Sequence, residues 1–252
     1  MNISKSSTSM KSEPSENSCL ETECLFGETI EVLDENLNWV YCKLITDNYY
    51  GWVKKSRIAK FGEATHRVLN LRTFIYKDAD VKSDILLYLP MGSHLVVDNI
   101  NLNWAKIYFP ISNFIQVGYV PAKHIVDFEH KVLDWVAVAQ SLEGIPYKWG
   151  GRDTIGIDCS ALLQLTYQTY GQNIPRNTSE QVQLDKLIIN EIKDLERGCV
   201  IFWEGHVGIM IDKKNCIHAN AFHMKTVTEP LFDIINRMDK KQQIIKIMNF
   251  NR

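Results

Sequence analysis

The chain has 252 residues, of which 45% are hydrophobic, 10% aromatic and 23% charged. This composition lies in the range of soluble globular proteins and excludes collagen, coiled coils and wholesale disorder. The 28 Lys and Arg residues are balanced by 30 Asp and Glu residues, for a formal net charge of -2, so no basic excess would attract nucleic acid or a membrane surface. The length is enough for two or three domains, each with its own core.

The amino-terminal segment is rich in serine and lacks the apolar stretch of an export signal. We therefore predict a disordered lead-in over residues 1–16 and a cytoplasmic location, with export by a route without a recognisable signal as the alternative. Six cysteines in such a chain favour reduced thiols over a disulfide framework. Cys19 and Cys24 have no second pair at metal-ligand spacing, so neither a metal nor another cofactor is predicted.

An internal repeat organises the first half of the chain. The tetrapeptide Asn-Leu-Asn-Trp occurs at 36–39 and again at 101–104, an offset of 65 residues. Short β-branched segments bounded by Gly, Asn and Asp accompany each copy, and this pattern is typical of strands and turns. The repeat predicts two small all-β barrels, at 17–60 and 66–127. The order of glycine, strand, polar turn and tryptophan strand resembles bacterial SH3-like domains.

The pattern changes from residue 128 onward. Apolar side chains at helical spacing predict helices over 129–142 and 158–170. Short strands are predicted after them, at 199–203, 206–211, 216–219, 225–228 and 244–248. Helices first and antiparallel strands second predict an α+β domain over 128–252.

Cys159 is a candidate nucleophile because of its position at the start of the second helix. Asp158 is a good N-cap, which puts Cys159 in the first helical turn. Unpaired backbone N–H groups and the positive end of the helix dipole lower a thiol pKa there, and the same N–H groups can hold an oxyanion.

Two histidines follow on neighbouring predicted strands. His206 begins one strand, with Gly208 leaving room on the same face, and His218 lies on the next strand. A nucleophile at a helix start, a base and a third polar group form the arrangement found in papain. His223 is a rival for the third role.

Several short motifs occur in a specific order around these residues. They are Pro-Tyr-Lys-Trp-Gly-Gly at 146–151, Asp-Cys-Ser at 158–160, Pro-Arg-Asn-Thr at 175–178, His-Val-Gly at 206–208 and His-Ala at 218–219. In this order they resemble the NlpC-type cell-wall cysteine peptidases, which have a papain-like core. The resemblance covers about 128–252, so the predicted fold is an α+β papain-like catalytic domain preceded by two small all-β SH3-like barrels.

The resemblance implies a role for each matching residue. Cys159 is the nucleophile, His206 the general base and acid, and His218 the residue that orients His206. The substrate-binding positions predicted by the same match are Tyr147, Trp149, Asp158, Ser160 and Thr178. The chain departs from the family pattern at Ala161 and Cys199, where the family usually has Gly and Asp, and neither position is one of the three catalytic candidates.

The resemblance also implies a substrate. Members of the family cleave murein peptides, commonly at the γ-D-glutamyl to diamino-acid bond, and those with paired SH3-like domains resemble recycling enzymes that need a free L-Ala amine. In those members a carboxylate of the first SH3-like domain meets the amine together with the Asp of Asp-Cys-Ser. Asp158 fills the second role, and Asp34, Glu35 and Asp47 are unranked candidates for the first.

Three other functions are compatible with the sequence. The protein could be an exported hydrolase of intact wall, or a papain-like amidase or acyltransferase. It could also be an SH3-like binding module with an inert carboxyl-terminal domain, although Cys159, His206 and His218 argue against that. The predicted partner is a murein peptide, without nucleic acid or membrane, and the sequence does not indicate the oligomeric state or the diamino acid accepted.

Overall fold

The computed structural model describes residues 1–111, 114–238 and 243–251. It divides into two compact units. The first contains Met1–His130 and the three residues Arg152–Thr154, and the second contains Lys131–Gly151 and Ile155–Arg252. Within the described ranges, no helix combines the length and apolar character that a membrane span requires.

The first unit is built from short strands and two single turns of 3-10 helix, at Lys55–Arg57 and Ala122–His124. In chain order the strands are β1 (Asn2–Ile3), β2 (Ser7–Lys11), β3 (Leu20–Leu25), β4 (Ile30–Asn36), β5 (Trp39–Leu44), β6 (Tyr50–Lys54), β7 (Ile58–Ala59), β8 (His66–Val68), β9 (Arg72–Tyr76), β10 (Ile85–Pro90), β11 (His94–Asn101), β12 (Trp104–Ile111), β13 (Phe114–Pro121), β14 (Ile125–Asp127) and β15 (Arg152–Asp153).

Most of these strands form two antiparallel sheets. One has the strand order β3-β2-β6-β5-β4 and the other β10-β9-β13-β12-β11-β8-β14, while β1 pairs with β7. Each sheet encloses its own apolar core, centred on Met10, Val40 and Val53 in the first and on Ile75, Leu95 and Ile107 in the second. The all-β architecture expected for this part of the chain is confirmed.

The predicted disordered lead-in is wrong for the segment that contains β1 and β2. Ile3 and Met10 are completely buried, and β2 pairs with β3 from Ser7 to Lys11. The prediction rested on the serine-rich composition and overlooked an alternation of buried and exposed side chains. Thr8 and Met10 face inward, while Ser9 between them faces solvent. This alternation is the ordinary pattern of a half-buried strand.

The repeated Asn-Leu-Asn-Trp tetrapeptide forms a two-residue hairpin turn in each domain. Asn36 pairs with Trp39 across the first turn, and Asn101 pairs with Trp104 across the second. The leucine that follows each of these asparagines has a positive φ, 50° at 37 and 52° at 102. Tight hairpins require this left-handed backbone, which suits Asn or Gly better than Leu.

Replacing Leu102 by Asn should therefore stabilise the protein. The side chain is 91% exposed, so little packing is lost, and Asn tolerates the left-handed region at a lower cost. We expect the free energy of unfolding to rise by about 0.5–1 kcal/mol, measured by urea denaturation. Leu102→Ala is the control and should give no such gain, because alanine keeps the backbone penalty; equal stabilisation by Ala and Asn would contradict the explanation.

A buried ion pair lies within the first unit. Arg152 and Glu28 are both almost completely buried and are joined by two hydrogen bonds of 2.9 Å, from Nη1 to Oε2 and from Nη2 to Oε1. Nη1 also donates to the backbone oxygen of Glu23 at 2.9 Å. Burial disfavours the charged carboxylate of Glu28, but Arg152 more than offsets this effect and lowers the pKa of Glu28.

The second unit begins with helices and continues as a sheet, with one 3-10 turn at Ile192–Asp194. Its elements in chain order are α1 (Trp135–Ser141), β16 (Gly156–Ile157), α2 (Cys159–Thr169), α3 (Thr178–Gln181), β17 (Leu187–Ile188), β18 (Cys199–Trp203), β19 (His206–Met210), β20 (Asn215–Asn220), β21 (Lys225–Pro230), α4 (Leu231–Arg237) and β22 (Ile244–Asn249).

The sheet of the second unit has the order β17-β22-β18-β19-β20-β21, and its neighbouring strands are antiparallel. Helix α2 lies against β19 and β20, which brings the start of that helix to the histidine-bearing strands. The predicted α+β papain-like class is confirmed. Helix α1 starts later than the predicted residue 129, because Asp134 caps it by accepting a hydrogen bond from the N–H of Ala137.

Candidate active site

Cys159 is the first residue of α2. The side chain of Asp158 caps the helix, and its Oδ1 accepts a hydrogen bond from the N–H of Ala161 at 2.8 Å. Cys159 itself is 7% exposed. The N–H groups of Val207 and Ser160 are close enough to its sulfur to favour a thiolate. Because Val207 directly follows His206, the sulfur lies beside the start of β19.

The electrostatic state of Cys159 differs from the state expected for a helix start. Burial, followed by the negative charge of Asp158, raises the pKa of the Cys159 thiol to about 12. The two backbone N–H groups and the charge of Arg176 act in the opposite direction but do not compensate. The expectation of a lowered thiol pKa is therefore wrong, because desolvation outweighs the helix dipole.

The carboxylate of Asp158 is held by three groups besides the cap. Arg176 makes a two-pronged ion pair with it, through Nη1 to Oδ1 at 3.0 Å and Nη2 to Oδ2 at 2.6 Å. The N–H of Gly150 donates to Oδ2 at 2.9 Å, and the hydroxyl of Ser160 donates to Oδ1 at 3.1 Å. Asp158 thus ties the glycine-rich connector to the start of the helix that carries Cys159.

Arg176 was not assigned a role from the sequence, although its motif was recognised. It is 2% exposed, and its Nη1 also donates to the Ser160 hydroxyl at 2.6 Å. The hydroxyl of Ser160 is therefore already engaged inside the protein. Arg176 lies outside the predicted helices and strands, so its position gave no sequence signal of burial. Only the need of a buried Asp158 for a cation could have indicated it.

The two predicted histidines are hydrogen-bonded to each other. Nε2 of His206 lies 2.8 Å from Nδ1 of His218, and the ring centroids are 5.1 Å apart. Burial, then the charges of His218 and Arg237, lowers the pKa of His206 to about 3. Burial also lowers the pKa of His218, which is 1% exposed. Both rings are therefore neutral near pH 7.

Behind His218 lies a carboxylate that the sequence analysis missed. Nε2 of His218 is 2.8 Å from Oε1 of Glu229, which is on β21. Arg237, on α4, donates to both oxygens of the same carboxylate. Burial raises the pKa of Glu229, but hydrogen bonds from Arg237 and His218 outweigh it and bring the pKa to about 2. Glu229 and Arg237 lie in a hairpin and a short helix for which no motif was recognised.

His223, the rival for the third role, is not the ring that contacts His206. Its Nε2 is 3.3 Å from Oε1 of Glu229, and its N–H donates to Oδ1 of Asn220 at 2.8 Å. It therefore contacts the carboxylate behind His218, whereas His218 is the ring that contacts His206.

The remaining predicted substrate positions are distributed around Cys159. Tyr147 is half-buried, and burial followed by the charges of Cys159 and Asp158 raises its pKa to about 12, so its phenol lies near both. Trp149 is 71% exposed. Thr178 is the half-buried first residue of α3.

Gly208 has a packing role near this site that differs from the one expected. A Cβ at this position would lie 2.5 Å from Sγ of Cys216 and 3.5 Å from Cβ of His218. The space left by Gly208 is therefore occupied mainly by the thiol of Cys216, which is buried in the core of the second unit.

Comparison with protein families identifies the domains. Residues 144–242 match the NlpC/P60 family model, and residues 11–58 match the bacterial dipeptidyl-peptidase SH3 domain. The chain carries an NlpC/P60 domain preceded by an SH3 domain. The first of these matches contains Cys159, His206 and His218, which are brought together by the fold described above.

Similar proteins support this organisation over most of the chain. The chain is 24% identical to the γ-D-glutamyl-L-lysine dipeptidyl-peptidase of Bacillus subtilis, over 85% of this chain and 78% of that protein. It is also 24% identical to dipeptidyl-peptidase 6 of Lysinibacillus sphaericus, over 82% and 83% of the two chains. A crystal structure of an NlpC/P60 family protein from Bacillus cereus has the same fold, with a TM-score of 0.84, 18% identity and coverage of 100% and 99%. The chain is a cysteine-type peptidase.

The raised thiol pKa of Cys159 predicts slow alkylation near neutral pH. Because the thiolate fraction below the pKa grows about tenfold per pH unit, the iodoacetamide rate at Cys159 should still be rising between pH 8 and pH 10. Peptide mapping by mass spectrometry measures this rate for each cysteine. The exposed Cys19 is the internal control and should react first. A fast Cys159 rate that is constant from pH 6 to pH 8 would instead indicate a resting thiolate and imidazolium pair.

Proposed function

We propose that this enzyme hydrolyses the amide bond between γ-D-glutamate and the diamino acid of short murein peptides that have a free amino-terminal L-Ala. The observation that carries the proposal is the hydrogen-bonded pair of His206 and His218 beside the buried thiol of Cys159. The NlpC/P60 match and the hydrolase names of the similar proteins support a peptidoglycan-derived peptide as substrate.

In the proposed mechanism the resting thiol and imidazole are both neutral. Nδ1 of His206 takes the thiol proton as Cys159 attacks the carbonyl carbon of the γ-glutamyl amide. His218 holds the ring of His206 through its other nitrogen. The proton transfer therefore accompanies the attack, which matches the raised pKa of Cys159 and the lowered pKa of His206.

The later steps use the same residues. Backbone N–H groups at the start of α2 stabilise the oxyanion of the tetrahedral intermediate. The carbon–nitrogen bond then breaks, and the departing amine of the diamino acid takes the proton from His206. His206 deprotonates a water molecule, which attacks the carbonyl carbon of the resulting thioester. The carbon–sulfur bond then breaks, the γ-glutamyl product leaves as a carboxylic acid, and His206 returns the proton to the sulfur of Cys159.

The preference for a free amino terminus is part of the proposal. Two similar proteins have names that describe dipeptidyl-peptidases, enzymes that remove two residues from an amino terminus. Asp34, Glu35 and Asp47 are the candidates predicted from the sequence for binding the ammonium group. Asp34 and Glu35 lie on β4, where Glu35 pairs with Lys55 at 2.6 Å, and Asp47 accepts a hydrogen bond from the N–H of Tyr49.

Asp158 is the other carboxylate proposed to bind the amine, and the groups that already bind its oxygens limit how the amine can approach. Both of its oxygens already accept from Arg176, so an incoming ammonium group would share them with the guanidinium. A cytoplasmic location and a role in murein recycling stay predictions from the sequence.

The proposal is tested with synthetic L-Ala-γ-D-Glu-L-Lys and the matching peptide that contains meso-diaminopimelate. The enzyme should release L-Ala-D-Glu and the free diamino acid, identified by mass spectrometry. Cys159→Ala should lower kcat by at least about 10³-fold, because it removes the nucleophile, while circular dichroism stays unchanged. A residual rate within about tenfold of the parent, equal to 1.4 kcal/mol of barrier, would contradict covalent catalysis by Cys159.

Two further substrates separate the proposed function from its rivals. The N-acetyl form of the same tripeptide should lose most of its kcat/KM, because the ammonium group is gone and carboxylates that bind it are left unpaired. Purified sacculi should release soluble fragments far more slowly than the free tripeptide is cleaved. Comparable rates on sacculi and tripeptide would favour an exported hydrolase that acts on intact wall.

A further inference from the structure

The hydrogen bonds around His218 extend the histidine pair into a chain that ends on a cation. Oε1 of Glu229 lies 2.8 Å from Nε2 of His218, and Nδ1 of the same ring lies 2.8 Å from Nε2 of His206. Arg237 holds the carboxylate from the far side. The chain of hydrogen bonds therefore runs from Arg237 through Glu229 and His218 to His206.

A neutral imidazole carries one proton, on either Nδ1 or Nε2, and its hydrogen-bond partners decide which. An ionised carboxylate can only accept, and the pKa of Glu229 of about 2 keeps it ionised near neutral pH. Nε2 of His218 must then carry the proton and donate to Glu229. Nδ1 of His218 is consequently an acceptor, and Nε2 of His206 donates to it.

The consequence reaches the nitrogen that takes part in catalysis. When Nε2 of His206 carries the proton, Nδ1 has a lone pair and can accept the proton of the Cys159 thiol. In the other tautomer Nδ1 is already protonated and cannot act as a base. The tautomer of His206 is thus determined by the carboxylate of Glu229, which is two hydrogen bonds away.

A neighbouring amide favours the opposite state. Nδ2 of Asn220 lies 3.1 Å from Nε2 of His218. An amide nitrogen is a donor, so without the carboxylate it would make Nε2 of His218 an acceptor and move the proton to Nδ1. The proton on Nδ1 of His218 would then face Nε2 of His206, which would have to accept it as a hydrogen bond. The proton of His206 would therefore be on its Nδ1, which is the unproductive tautomer. Glu229 and Asn220 therefore compete for the same ring nitrogen.

We propose that Glu229, oriented by Arg237, is a positioning residue that sets the tautomers of His218 and His206, so that His206 presents an unprotonated Nδ1 to Cys159. This inference rests on the proposed function, since it concerns the same reaction. The charged and titratable groups that face His218 are His206 on β19, Glu229 on β21, Arg237 on α4 and His223. Among these groups Glu229 is the carboxylate, and it therefore accepts the hydrogen bond from Nε2 of His218.

The direct test is NMR on the full chain labelled with ¹⁵N-histidine. Nitrogen chemical shifts distinguish a protonated ring nitrogen from an unprotonated one, and His206→Gln and His218→Gln variants assign the two rings. In the parent protein we expect both His206 and His218 to carry the proton on Nε2. A parent His218 with its proton on Nδ1 would overturn the inference without any further variant.

The kinetic test uses Glu229→Leu, which removes the acceptor. We expect kcat on the free tripeptide to fall at least about 100-fold, as expected for a base held in the wrong tautomer, with KM changed less than about twofold. The ¹⁵N spectrum should show His218 and His206 protonated on Nδ1. Glu143→Gln is the matched control, because Glu143 is an exposed carboxylate that also bonds β21, at Thr228, and its kcat should equal that of the parent.

A second substitution tests whether the acceptor matters, as opposed to general packing. Asn220→Asp in the Glu229→Leu background places a carboxylate oxygen where the amide now meets Nε2 of His218. We expect kcat at least tenfold above that of the single variant and a return of both protons to Nε2. A double variant with the kcat and tautomers of Glu229→Leu would overturn the inference.

The failure of the inference can be told apart from the failure of the proposed function. Suppose that the parent does not cleave the tripeptide, but that its histidines have the stated tautomers and Glu229→Leu reverses them. The substrate assignment then fails, and the tautomer relay, meaning the control of the His218 and His206 tautomers by Glu229, stands. If the parent cleaves the tripeptide and Glu229→Leu leaves kcat and the tautomers unchanged, the relay fails and the proposed function stands.

Discussion

Burial of ionisable groups is the constraint on which the chemistry of this site depends. A buried charge needs a partner of opposite sign, and a group without one becomes neutral. Arg176 and three hydrogen-bond donors surround the carboxylate of Asp158. At Cys159, burial outweighs the favourable charge of Arg176 and raises the thiol pKa; at His206, burial and the charges of His218 and Arg237 lower the imidazole pKa. Both groups are therefore neutral at rest.

The same constraint explains why the site is built in layers. Cys159 is placed by a capping carboxylate, and that carboxylate is placed by Arg176. His206 is oriented by His218, which meets a carboxylate held by Arg237. In both layers an arginine satisfies the acid that positions a catalytic candidate. Buried pairs of this kind contribute little net stability compared with apolar residues, but loss of one partner leaves an uncompensated charge.

Sequence patterns were sufficient for the architecture. The repeated tetrapeptide marked two hairpin turns, and the helix cap together with the histidine-bearing strands predicted the elements that meet at Cys159. They were insufficient wherever composition competed with periodicity, as in the serine-rich strand β2, whose buried Met10 was assigned to a disordered segment. Local patterns also could not supply the electrostatics, because desolvation at Cys159 depends on packing around the helix start.

Glu229 and Arg237 were missed for a related reason. Each belongs to an element whose pattern is unremarkable, and Glu229 contacts His218 only because β20 and β21 pair in the register that sets Cys216 opposite Glu229. A buried histidine pair does, however, need a group that fixes its protons. The sequence contained that requirement, but only the register identified the residue that meets it.

The proposed mechanism requires that a γ-glutamyl peptide acylates Cys159, and this intermediate can be trapped. The enzyme is mixed with L-Ala-γ-D-Glu-L-Lys, quenched in acid within the first turnovers and analysed as intact protein and as peptides by mass spectrometry. We expect a mass increase equal to the L-Ala-D-Glu acyl group on the peptide that contains Cys159, and no increase in Cys159→Ala. Cleavage of the tripeptide with the acyl group on another cysteine, or by Cys159→Ala at the parent rate, would contradict the proposed mechanism.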